Sequence, residues 1–84
     1  MSNASKALVV AMAIYAKDPD NEFFPMEDLE AALYHAVEVC GFGHDELKAD
    51  LYAQLAEKLT ADTKFNDAVG IIADAMDATE KYYG

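Results

Sequence analysis

The sequence predicts an all-α fold, a compact bundle of four helices over about 6–17, 25–40, 45–59 and 64–83. Three observations carry this prediction. Apolar residues recur at three- and four-residue spacing, no alternating stretch is long enough for a strand, and stop signals at Pro19, Gly41 and Thr60 to Thr63 divide the pattern. The 84 residues, 54% of them hydrophobic, make one helical domain spanning 1–84. At this size only roughly 60–65% of the unfolded surface is buried on folding, so the core is modest and association would add to it.

Helix 1 runs from Lys6, with Ser5 as its cap, to Lys17, where Asp18 is driven out of the helical region by Pro19. It contains ALVVAMAIYA, residues 7 to 16, without one charge. Leu8, Ala11, Met12 and Tyr15 occupy one side of this helix, and Val9, Val10, Ala13 and Ile14 the other. A helix apolar on both faces must be covered on both. Either the other three helices wrap it, or Val9, Val10, Ala13 and Ile14 form an interface with a second copy, a homodimer, or with a partner helix.

Helix 2 opens on Pro25, whose missing N–H is harmless in a first turn, and Glu27 and Asp28 suit the positive end of its dipole. Met26, Leu29, Leu33, Ala36, Val37 and Cys40 share its core face. Gly41 stops it, and Phe42 folds back on Val37. Helix 3 repeats leucine at Leu47, Leu51, Leu55 and Leu59. Asp62 or Thr63 caps helix 4, whose stripe is Phe65, Val69, Ile72, Met76, Thr79 and Tyr83.

Composition limits function. Sixteen carboxylates stand against six lysines, a net charge of −10, and arginine is absent. Nucleic-acid binding draws on cations that displace counterions from phosphates, so direct binding of DNA or RNA is excluded as a leading reading. A membrane span needs about 20 apolar residues, more than helix 1 offers, and the flanks of that run lack a convincing signal-cleavage site. The single cysteine, Cys40, forms no internal disulfide, which points to a cytoplasmic chain.

Cys40, His35 and His44 are the nucleophile and base candidates. On a helix, His35 and Cys40 point about 140° apart, and a cysteine on an apolar stripe is a small core residue. Zinc wants four ligands where only three soft or imidazole ones exist. Asp18, Asp20 and Glu22 begin like a calcium loop, but Phe23 and Leu29 stand where that loop needs glycine and glutamate. The reading is therefore no enzyme, no metal and no cofactor.

What remains is the pattern of carboxylates. Glu46, Asp50 and Glu57 line helix 3 opposite its leucines, Asp67, Asp74 and Asp77 line helix 4, and Glu27 and Glu38 flank Tyr34 on helix 2. Solvated faces usually mix signs, and Asp77 with Lys81 is the one well-spaced i, i+4 pair of opposite charge. Such rows approach the charge density of a phosphate backbone and suit a basic surface on another protein, with Tyr34 and Tyr52 as amphipathic anchors.

In length, acidity and helix number the chain resembles acyl carrier proteins, but the segment matching their attachment site reads MEDLE and contains no serine, which removes that activity. In composition and size it is similar to phage inhibitors of host nucleic-acid machinery and to bacterial immunity proteins. That likeness implies an inhibitor or nucleic-acid mimic; the alternative is an assembly module working through helix 1.

Overall fold

Ser2, three residues ahead of the expected cap, opens the first helix. A computed structural model describes residues 2–16, 20, 22–24, 26–43 and 45–83, with backbone alone at 28 and 83. Lys17, Asp18, Pro19, Pro25, His44 and the Tyr83 side chain, invoked above for helix ends, a base and a core position, lie outside that description. The first helix, α1, spans Asn3–Tyr15; the Ser2 hydroxyl accepts the Ser5 N–H at 3.2 Å, satisfying one of the free donors of the first turn. Asn3 is held as well, its Nδ2 donating to Asp77 Oδ1 at 2.7 Å and to Glu80 Oε1.

A 3₁₀ turn, Met26–Asp28, leads into α2, Leu29–Cys40, so the expected single helix from Pro25 begins as a tighter turn. Gly41 adopts φ +69° and its N–H donates to Glu38 O, while the Phe42 N–H donates to Val37 O at 3.0 Å. This glycine stop closes two carbonyls of the last turn and turns Phe42 into the core, as its position after Gly41 predicts. The third helix, α3, is Asp45–Lys58, and α4 is Phe65–Tyr83. Between them Thr63 Oγ1 accepts from Thr60 N–H at 3.0 Å, so Thr63 braces the turn and does not reach forward as the expected cap.

The bundle is up-down-up-down, with each helix antiparallel to its neighbours. Cys40 Sγ lies 3.7 Å from Lys6 O, Asn3 bonds Asp77, Gln54 Nε2 donates to Thr79 Oγ1 at 2.8 Å, and Lys48 pairs with Glu38. Thus α1 packs between α2 and α4, and α3 between the same two on the other side. The expected stripes supply the core: Leu29, Leu33, Ala36 and Val37 from α2, Leu47, Leu51 and Leu55 from α3 with Leu59 just beyond it, and Ile72, Met76 and Thr79 from α4 are buried. Thr79 is tolerated there because Gln54 satisfies its hydroxyl.

One end is closed by aromatic rings. Tyr15 meets Phe24 and Phe65 edge-on, at centroid distances of 5.8 and 5.3 Å, and its hydroxyl donates to Thr63 O. Burial, with a smaller push from the Asp67 charge, raises the Tyr15 pKa above its ordinary value, so the phenol stays a donor. Phe24 N–H donates to the same carbonyl at 2.8 Å, fastening the α1–α2 linker to the α3–α4 turn.

Helix α1 settles which of its residues is covered by what. Ala7, Val10, Ala11 and Ile14, at i, i+3, i+4 and i+7, are fully buried against α2 and α4. Val10 and Ile14, expected at an interface with a second copy, are therefore core residues of the chain itself; Val9 and Ala13 are half-buried. The exposed large apolar side chains of α1 are Leu8 (43%) and Met12 (57%).

Candidate functional site

Two open grooves collect the side chains singled out in the sequence. The first lies between α3 and α4, about 470 Å³, and is lined by Asp50, Ala53, Gln54, Ala78 and Tyr82. Helix geometry places part of the acidic rows beside it. Glu46 and Glu57 lie one turn to either side of the α3 lining residues Asp50 and Ala53, and Asp74 one turn before Ala78 on α4. Glu46, Glu57, Asp67, Asp74 and Asp77 are exposed and Asp50 is half-buried.

A further depression of about 560 Å³ follows the N-terminal half of α4, bordered by Asp62, Asp67 and Asp74 around Gly70. Nothing approaches within 4 Å of where a Gly70 side chain would begin, so this glycine serves no internal packing. Gly70→Ala is expected to raise stability by about 1 kcal/mol, the penalty of glycine inside a helix. In a thermal melt that is a gain of about 4–8 °C for a domain of this size. A lowered midpoint would show that the notch is needed for the fold.

The second groove, about 340 Å³, lies between α2 and α3 and is lined by Tyr34, Glu38, Asp45 and Lys48. Tyr34 and Glu38 are an i, i+4 pair on α2; Asp45, Lys48 and Tyr52 follow at i, i+3 and i+7 on α3. Tyr34 and Tyr52, both half-buried, stack across the groove with centroids 6.2 Å apart and planes 27° from parallel. Lys48 Nζ sits 3.0 Å from Glu38 Oε1 and 3.1 Å from Asp45 Oδ1. The hydrogen bonds that Lys48 donates to both carboxylates raise its pKa, against a weaker opposing effect of burial, and keep the ammonium charged.

The sequence singles out Tyr34, Glu38 and Tyr52 separately as partner contacts, and gives no role to Lys48 and Asp45. The signal was present: Asp45 and Lys48 are i, i+3 at the start of α3, and Lys48 borders the leucine stripe, where a lysine stem buries readily. Glu27 is exposed in the 3₁₀ turn and lines neither groove. Asp77, expected to pair with Lys81, accepts from Asn3. Of the aromatic residues, Phe24 is buried and Tyr82 is 82% exposed.

Of the chemistry-bearing candidates, His35 and Cys40 are described and point to different sides of α2. His35 is exposed, whereas the half-buried Cys40 has its pKa raised by burial, with Lys6 opposing weakly, so its thiol is held protonated and unreactive. Among the described residues no three His, Cys, Asp or Glu side chains cluster so as to hold a metal ion. No helix among them is long and apolar enough to cross a membrane. Cys40→Ala is expected to cost roughly 1 kcal/mol of packing and to leave function intact; loss of partner binding at unchanged stability would refute this. Comparison with family models, with curated proteins and with solved structures finds no match for the chain.

Proposed function

We propose that the chain is a non-enzymatic, acidic interaction module of the cytoplasm that docks its carboxylate rows on a basic surface of a nucleic-acid-handling protein, as an inhibitor or regulator of nucleic-acid-mimic type. The observation that supports this most is the fate of the opposite charges. Lys6 and Lys64 lie over the rings of Phe42 and Phe23, and Lys48 is held between two carboxylates, so that of the lysines on α3 and α4 Lys58 and Lys81 alone stand exposed beside Glu46, Glu57, Asp67 and Asp74. A face on which carboxylates outnumber ammonium groups attracts and orients a basic partner and repels nucleic acid.

Affinity purification from a lysate of the source organism, washed at low and then at high salt, tests the reading. It predicts a basic partner retained at low salt and released at high salt. A partner held equally at both would speak for apolar docking.

A second reading rests on α1. Leu8 and Met12 are exposed on a helix that, alone among the four, carries no carboxylate. Two chains of charge −10 repel each other least through that face, which supports a homodimer or assembly module joined at Leu8 and Met12. Sedimentation of Met12→Glu at tens of micromolar decides it: a dimer that persists removes α1 as the contact.

A further inference from the structure

We infer that the groove between α2 and α3 is a seat for one arginine side chain of a partner protein, its guanidinium stacked on Tyr34 and hydrogen-bonded to Glu38 and Asp45. The inference deepens the docking reading and rests on it only for the source of the arginine. The groove itself carries the rest.

Its size is the first argument. At about 340 Å³ it stands at the lower end of the range for ligand sites, roughly 300–1,000 Å³, and suits a single long side chain. Its charge is the second. Two carboxylates, Glu38 and Asp45, face one ammonium, Lys48, leaving one net negative charge for a monocation to cancel. Lys48 lines the groove as well, and its ammonium bonds one oxygen of each carboxylate, Glu38 Oε1 and Asp45 Oδ1. The Glu38 side chain remains 64% exposed and that of Asp45 98%, so their other lone pairs face outward.

The third argument is the aromatic platform. Tyr34 rests on Tyr52, which braces it, and a guanidinium is planar, weakly hydrated and able to stack while it donates in the ring plane. An ammonium is compact and strongly hydrated and gains less from the same surface. None of the 84 residues is an arginine, so none of them is the occupant.

The test uses the full chain and two blocked tripeptides, acetyl-Gly-Arg-Gly-amide and acetyl-Gly-Lys-Gly-amide, titrated at fixed ionic strength and followed by NMR. The arginine peptide is expected to shift the Tyr34 and Tyr52 ring signals and the Lys48 side chain in a saturable manner, with the lysine peptide at least about fivefold weaker. Tyr34→Leu and Glu38→Gln should each abolish saturation; Glu38→Gln, at an exposed site, keeps the test valid if Tyr34→Leu fails to fold. Non-saturating shifts spread over α3 and α4, equal responses to both peptides, or normal binding by Glu38→Gln would overturn the inference. The two readings fail separately: these results leave docking by the acidic rows standing, whereas charge reversal on α3 and α4 without effect on a partner would remove docking and leave the arginine seat intact.

Discussion

Val10→Glu and Ile14→Glu are each expected to unfold the chain, while Met12→Glu leaves it folded. Val10 and Ile14 are fully buried on the face of α1 that meets α2 and α4. A carboxylate placed there loses its hydration without a partner, at a cost of several kcal/mol. Domains of this length are stable by only about 0.05–0.15 kcal/mol per residue, so one such change consumes most of the margin. Met12 is 57% exposed and can turn a charge to solvent. Far-UV circular dichroism with a urea titration separates the cases: loss of helical signal for the first two, a near-native midpoint for the third. A folded Ile14→Glu chain of ordinary stability would show that α1 is not the interior element described above.

The second large effect concerns the acidic rows. Reversing Glu46 and Glu57 on α3 together with Asp67 and Asp74 on α4 to lysine is expected to weaken partner binding on the order of a hundredfold at low salt. It converts attraction into like-charge repulsion, acts mainly on the association rate, and flattens the dependence on salt. These four are exposed, and surface changes of this kind usually alter stability by within about 0.5 kcal/mol, so the fold should survive. Asp77 is left out because it anchors Asn3. A control with Leu8 and Met12 replaced by glutamate should bind as the unaltered chain does; the reverse ordering of the two mutant sets would favour assembly through α1.

The helices were legible where polar and apolar residues alternate at helical spacing. The leucines of α3 and the Ile72, Met76 and Thr79 stripe announce their buried faces because acidic residues mark the opposite side. Helix α1 gives no such mark: with every residue from 7 to 16 uncharged, sequence spacing cannot say which face packs. The structure selects Ala7, Val10, Ala11 and Ile14, an arc in which two alanines let α2 and α4 approach closely. The start of α1 was misplaced for a tertiary reason, since Ser2 and Ser5 are equivalent as caps until Asn3 reaches Asp77 on α4. The α2–α3 groove was half visible. Tyr34, Glu38 and Tyr52 stood out singly, but their meeting depends on how two antiparallel helices register, which fixes Lys48 opposite Glu38.

The central claim, that the carboxylate rows bind a basic protein surface, is tested most directly by the dissociation constant of the captured partner at about 0.05 M and about 0.5 M monovalent salt, between which the screening length falls about threefold. Binding is expected to weaken steeply across that range for the unaltered chain and little for the chain reversed at Glu46, Glu57, Asp67 and Asp74. Equally tight binding at both concentrations, or the same steep loss in both chains, would contradict it.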